Sequence, residues 1–595
     1  MRHSASPNHV GAGVPPTSRA KLGKFRRVES AELRRAGEGT PPLRRQMNFL
    51  ENIFAQLDTA NDTPVLEELR DGQPAPVKAR ELLNLVGQAR AFVASRGLKQ
   101  GDRCALLAHN SIQWVALDLA IMAEGVIVVP LYARQAAAEL VAMMKDCSPG
   151  LICCGDAALR DGILQEWPEA PSQYLFEEIF AHAGASVNGN PRLASSDPVT
   201  IIYTSGTSGE AKGVILTAGN VGHMLACTSA RLDLLMENKP GQDQVFHYLP
   251  FCFAGSWVML LTCLLRRSLL MLNTDLGKLA GEMRAAAPDY FLNVPALLER
   301  MRKAVDEQLW KTGGLARIIY SRAKAAWMRK REGQIRLLDK AWLALADAMI
   351  FPTIRKKMIG DNLKALICGS APLNVDTQLY FNMLGIPVLQ GYGLTETTAL
   401  CTMDDPRHVE PGRVGPAISG IEMRLGENEE IVVRGPNIFP GYWNRPEETA
   451  KSLQEGWFHS GDQGEVDATG NWRIIGRIKN LIILGSGHNI APEPIEDELL
   501  KNLPGAQQAV LVGNGRGYLS LIVTGSVTRE QARAAVDEVN SHLPHYKQIR
   551  ALHVHTEPFS IDNGLLTANG KLKRDLIATR LHHEIEEMYA VSQAS

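Results

Sequence analysis

The chain has 595 residues, 45% hydrophobic and 21% charged, with a formal net charge of -1. That length exceeds one ordinary hydrophobic core, so two or more domains are expected. The balanced charge gives no bulk attraction for nucleic acid. The nine scattered cysteines, with no C-x-x-C, fit a reducing cytoplasm and argue against a zinc site of the usual spacing.

Residues 1–46 are rich in Arg, Lys, Gly, Pro and Ser and lack apolar periodicity. They predict a disordered basic tail, with contact to anionic lipid as a second reading. No apolar core of a signal peptide is present there. Met47 opens a helical pattern, Asn48 to Phe54, so a translation start at Met47 rather than Met1 stays open. Helical patterns then alternate with short apolar runs. Ala79 to Ser95, Trp114 to Ala123 and Glu139 to Cys147 read as helices; Arg103 to Ala108, Val126 to Tyr132 and Leu151 to Cys154 read as strands. Such alternation predicts an α/β fold with largely parallel or mixed sheets.

The apolar run Val199 to Tyr203 feeds a loop of Thr204, Ser205, Gly206, Thr207, Ser208 and Gly209, closed by Lys212 before a second run, Val214 to Thr217. Few side chains block such a loop, so its N–H groups and hydroxyls can surround phosphate oxygens. It is not the Walker pattern. Taken alone, it is equally a solvated hairpin turn. Trp257 to Leu272 is the longest apolar stretch, broken by Arg266-Arg267 and too short to span a bilayer.

Residues 304–362 form a basic, mostly helical insertion. Ile335, Leu338, Trp342, Leu345 and Met349 share one helical face. One reading packs that face on the main domain and leaves the basic side solvated; the other is contact with a membrane surface. Ala365 to Cys368 and Pro387 to Leu389 read as buried strands, with Gly369 to Pro372 and Gly391 to Glu396 directly after them. Ligands in such sheets gather at strand carboxyl ends. Ile421 to Val433 predicts a small β subdomain. Residues 478–595 predict a small, mobile α+β C-terminal domain after a large domain over 47–477.

Five segments carry a family resemblance: Tyr203 to Gly213; Gln390-Gly-Tyr-Gly-Leu-Thr-Glu396; His459-Ser-Gly-Asp462; Gly476-Arg477 through Lys479 to Gly485-Ser-Gly487; and Thr567-Ala-Asn-Gly-Lys571. In that order they resemble the adenylate-forming superfamily of acyl-CoA synthetases, luciferases and peptide-synthetase adenylation domains. The insertion is similar to that of long-chain fatty acyl-CoA synthetases.

The resemblance implies ATP, Mg²⁺ and coenzyme A, with a fatty acid as the activated carboxylate. Thr204 to Gly209 and Lys212 would cradle the β- and γ-phosphates. Glu396 would hold Mg²⁺, with Thr395 near the α-phosphate. Gly369, Ser370, Ala371, Pro372, Gln390, Gly391, Tyr392 and Gly393 would surround the adenine; Asp462 would accept from the ribose hydroxyls and Arg477 contact ribose or phosphate. Lys571 is the expected catalytic residue, with Lys573 and Arg574 read as solvated neighbours. Lys479 matches the hinge, and Gly485, Ser486 and Gly487 the face that admits the thiol. Where the family commonly has an acyl-site histidine this chain has Phe253, and Trp257 matches an aromatic that gates the fatty-acid tunnel. Other acids (aryl or medium-chain), a carrier-protein acceptor, or a non-catalytic AMP or acyl binder are the alternatives. A cytoplasmic location, with or without peripheral contact at the inner face of the membrane, is expected.

Overall fold

Strands buried on both faces organise the molecule. The computed structural model describes residues 47–70, 73–182, 193–205, 211–237, 241–312, 314–567 and 570–590. The predicted tail, residues 1–46, lies outside them. Residues 47–595 form one compact unit.

Two large sheets dominate the described residues. The six-stranded one runs, in spatial order, Gln173–Leu175, Leu151–Cys154, Arg103–Leu107, Ile127–Leu131, Pro198–Ser205 and Ala211–Thr217. It is parallel except for its last hairpin. The eight-stranded sheet has a parallel centre and an antiparallel strand at each edge, Thr402–Met403 and Gln73–Lys78. Leu151–Cys154 and Ala365–Cys368 are buried at every position, as central parallel strands require. The helices Phe49–Ala60, Ala79–Ser95, Ile112–Ala123, Ala218–Leu235 and Ala254–Arg266 fill one core shared with strands of both sheets. Local chemistry sets their starts. Asn48 caps the first helix by accepting from the Leu50 and Glu51 N–H groups, and Glu51 accepts from the Asn48 N–H in return.

Antiparallel strands from Glu422–Leu425 to Trp472–Arg477 form the small β subdomain. The small C-terminal domain follows. Its three strands, Ala506–Val512, Leu519–Gly525 and Ile549–His555, carry separate apolar clusters on their two faces.

The insertion is helical over Pro295–Thr312, Gly314–Arg331, Leu337–Met349 and Phe351–Met358. The expected apolar face packs inward only at Trp342, which is half-buried against the core. Leu338 is 75% exposed, Met349 56% and Leu345 37%, and Ile335 precedes the helix. Its fully buried residues are Asp339 and Ala346. Asp339 pairs with Arg329 of the preceding helix, while Trp342 and Leu343 pack against the core beside the buried Ala346. Among the described residues no helix is long and apolar enough to cross a membrane.

Candidate active site

Two neighbouring parallel strands deliver the candidate adenine loops. Cys368 lies opposite Gln390 in their register, so Gly369 to Pro372 and Tyr392 to Glu396 leave adjacent carboxyl ends. The backbones come close. A Cβ on Gly393 would stand 2.3 Å from the Ala399 carbonyl oxygen, so only glycine fits there. Ser370 holds a left-handed φ of 71°, a strained backbone for a residue with a side chain.

Opposite them stands the phosphate-loop hairpin. Thr204 pairs with Lys212 and Ser205 with Ala211. Gly206, Thr207, Ser208 and Gly209 lie outside the described residues. The Lys212 ammonium sits 5.4 Å from the Tyr442 ring centre. The Tyr442 hydroxyl donates to Glu396 Oε1 at 2.8 Å. Backbone bonds reinforce this link: Trp443 N–H donates to Gly213 O, and Phe439 N–H to Glu396 O. Tyr442 thus joins the candidate phosphate lysine to the candidate metal carboxylate. Sequence reasoning missed it, because Phe439-Pro-Gly-Tyr-Trp443 carries no charge and reads as packing.

Asp462 is 4% exposed. Its Oδ2 accepts from the Tyr392 hydroxyl at 2.8 Å, and its Oδ1 is 2.7 Å from Arg477 Nε. Both oxygens expected to receive ribose hydroxyls are therefore held by protein donors in this structure. Burial pushes the Asp462 carboxyl up, and Arg477, then Tyr392, pull it back. Gln390 is different. Its side-chain amide donates to Gln378 Oε1 and to the Arg413 carbonyl, so it braces the strand and is committed away from a ligand.

Lys571 reaches this group from the small domain. Its backbone closes a turn on Thr567, whose N–H donates to the Lys571 carbonyl at 2.8 Å. The residue is solvent-exposed; partial desolvation by its neighbours and the Arg477 charge lower its pKa, while Asp462 and Glu396 oppose them. Lys571 thus stands within electrostatic range of three candidate nucleotide residues. Arg574 is not a solvated neighbour. It is largely covered and forks onto the buried Glu496 carboxylate at 2.7 and 2.5 Å. Lys479 lies in the short turn Ile478–Asn480 after strand Trp472–Arg477, with its pKa lowered by desolvation and then by Arg477. Gly485, Ser486 and Gly487 form an exposed turn whose hydrogen bonds run to Arg516 and His488.

The expected acyl residues divide. Phe253 is half-buried with its ring 5.6 Å from that of Tyr132. Trp257 is fully buried, and its indole N–H donates to Asp118. The turn that leads from strand Gln244–His247 to Phe253 is held by Asn110, which donates to Leu249 O and accepts from Phe251 N–H.

Among the described residues, no cluster of three or more His, Cys, Asp or Glu side chains could hold a metal alone. Glu396, braced by Tyr442 beside Lys212, fits the other mode, in which Mg²⁺ takes a carboxylate plus nucleotide phosphates.

A family model described as AMP-binding enzyme matches residues 58–443, and one described as AMP-binding enzyme C-terminal domain matches residues 479–593. The long-chain-fatty-acid–CoA ligase FadD15 of Mycobacterium bovis is 27% identical over 592 residues, covering 91% of this chain and 97% of that protein. Two solved structures share the fold. ATP-bound MatB from Rhodopseudomonas palustris superposes with a TM-score of 0.69 at 24% identity, covering 90% of this chain and 99% of that one. The O-succinylbenzoate coenzyme A synthetase MenE from Bacillus subtilis, in complex with AMP, gives a TM-score of 0.69 at 20% identity, covering 89% and 98%.

Proposed function

We propose a reaction on one premise: the chain belongs to the AMP-binding enzyme family. It activates a fatty acid with ATP and passes the acyl group to coenzyme A. The acid's carboxylate attacks the α-phosphorus and pyrophosphate leaves. The coenzyme A thiol, losing its proton, then attacks the acyl carbon and AMP leaves. The first step brings an anion to a polyanion, so cations and N–H donors must offset the repulsion. Lys212 takes the outer phosphates, Asp462 and Arg477 the ribose side, and Lys571 the point where carboxylate meets α-phosphate. Mg²⁺, when bound with the nucleotide, neutralises phosphate charge, and Glu396 is the residue that would hold it. The observation that carries this reading is the link from Lys212 through Tyr442 to Glu396, beside the Asp462 carboxylate held by Tyr392 and Arg477, with Lys571 of the small domain in electrostatic range.

Long-chain acids are the substrate class we favour. The name of the Mycobacterium bovis relative supports it, as does the apolar surround of the Phe253 turn, with Phe251 and Trp257 fully buried. Pyrophosphate release across a panel of acids, with and without coenzyme A, tests both levels. Each methylene is worth about 0.8 kcal/mol, so kcat/KM should climb about fourfold per methylene toward palmitate. Release of ADP and phosphate would reject the reaction. A flat profile, or preference for benzoate, would reject only the long-chain reading.

Peripheral membrane contact through the insertion belongs to the same reading. Leu337 is 85% exposed, Leu338 75% and Leu315 68%. Residues 314–340 hold eight basic side chains against two acidic. Exposed leucines ringed by Lys and Arg suit an anionic lipid surface.

A further inference from the structure

We infer that Glu496 and Arg574 are positioning residues for Lys571, which fix the lysine's turn on the small domain. The inference rests on the role proposed above for Lys571. Arg574 follows Lys571 by three residues, so its guanidinium anchors one end of the lysine's turn within about 10 Å of chain. The other end is held at Leu565, a buried residue whose carbonyl accepts from Lys573 N–H at 3.0 Å. Between these anchors Lys571 N–H donates to Thr567 Oγ1.

Glu496 is itself fixed. It lies on the helix Pro492–Asn502, and its Oε1 also accepts from Leu511 N–H at 2.7 Å, in the first strand of the domain's sheet. The fork to Arg574 thus ties the turn to helix and sheet together. Glu493, one helical turn earlier, is 3.6 Å from Arg574 and accepts from Asn480, beside the candidate hinge Lys479. One helix therefore sets the lysine's turn relative to the hinge.

Stability is a poor reason for such a pair. A buried ion pair often holds a fold no better than apolar residues of equal volume. What a bidentate guanidinium–carboxylate contact supplies is direction, because two parallel hydrogen bonds fix the planar fork. A stabiliser of developing charge needs that direction, since a misplacement of about 1 Å costs on the order of a hundredfold in rate.

The test uses the full-length enzyme as Glu496→Gln, Arg574→Gln and Arg574→Lys, with Lys571→Ala as reference. Acyl-AMP formation is read as pyrophosphate release without coenzyme A, and thioester formation from supplied acyl-AMP and coenzyme A. Glu496→Gln and Arg574→Gln should lose adenylation kcat on the order of a hundredfold, with KM for ATP little changed. Arg574→Lys should fall between them and wild type, because it keeps the charge but not the fork. Thioester formation should survive in all three, which also reports a folded small domain. Amide exchange should quicken at residues 571–573 while strand Leu519–Gly525 stays protected. Equal loss in both half-reactions would show a merely structural pair and overturn the inference. Wild-type adenylation in the Glu496 and Arg574 variants, with Lys571→Ala selectively impaired, would overturn it alone. If Lys571→Ala shows no selective loss, the parent reading of the lysine fails and this one with it.

Discussion

Trp257 donates its indole N–H to Asp118 Oδ2 at 2.9 Å, and both side chains are completely buried. Burial pushes the Asp118 carboxyl up to about 7, and only the Trp257 hydrogen bond opposes it. The native state therefore holds this proton more tightly than the unfolded chain does. The stability it contributes is fully present below about pH 4 and is lost as pH rises through about 7. Asp118→Asn keeps an acceptor for Trp257 and removes the titration. The variant should flatten the dependence of the urea midpoint on pH between 4 and 7. It should exceed wild type at pH 8 by a few kcal/mol, of the order set by linkage. His247, which burial lowers to about 4, works with the opposite sign: its stability is lost as pH falls. An unchanged slope in Asp118→Asn would place the pH dependence elsewhere.

The contact from Tyr442 to Glu396 gives a prediction about metal. A hydrogen bond to a charged group is worth about 1.5–3 kcal/mol. Tyr442→Phe should therefore raise the Mg²⁺ concentration for half-maximal adenylation about tenfold or more, without changing the preferred acid. Glu396→Ala should raise it further. Titrating Mg²⁺ at saturating ATP checks both, and an unchanged Mg²⁺ requirement in Glu396→Ala would remove that residue from the metal site.

Legibility in the sequence followed physical range. Strands such as Leu151–Cys154 and Ala365–Cys368 were readable to the residue, because full burial on both faces leaves an unbroken apolar run. The helix Ala79–Ser95 was readable from its periodicity. Strands Gln244–His247 and Gln173–Leu175 were too short to show alternation. The hairpin Pro64–Arg70 with Gln73–Lys78 hid behind its prolines and charges. For the helix Leu337–Met349, periodicity revealed an apolar face but could not say where it points. That depends on partners outside the helix, the core that takes Trp342, Leu343 and Ala346 and the Arg329 that pairs with Asp339. The site divides in the same way. Asp462 and Lys571 sit in short segments with recognisable composition, whereas Glu496 finds Arg574 across 78 residues, and no local pattern marks such a partner.

The exposed leucines of the insertion predict a measurable membrane affinity. Burying one leucine side chain contributes about 1.5–3 kcal/mol, and each basic residue near an anionic surface about 1 kcal/mol. Leu337→Glu with Leu338→Glu should abolish co-sedimentation with vesicles containing phosphatidylglycerol. Adenylation of a water-soluble acid should be unaffected. Wild type should bind pure phosphatidylcholine far more weakly, and added salt should weaken binding to the anionic vesicles. Retention of the double variant on anionic vesicles would move the contact to another surface.

Lys571 should serve one half-reaction and not the other. Its ammonium lies in range of Asp462, Glu396 and Arg477 in the conformation described, where carboxylate and α-phosphate would meet. Once the acyl-adenylate exists, that repulsion is gone. Lys571→Ala should thus lose acyl-AMP formation by on the order of a hundred- to a thousandfold, as when a preorganised electrostatic stabiliser is removed. It should still convert supplied acyl-AMP and coenzyme A to thioester. Lys479→Pro should do the reverse. Fixing φ near −65° in the turn that joins the domains would hinder rotation away from the adenylating arrangement, leaving pyrophosphate release intact and slowing thioester formation. Separate assays of the two steps decide the matter. Equal impairment of both steps by Lys571→Ala, with circular dichroism unchanged, would mean that the lysine holds the site together instead of acting in one step and then leaving.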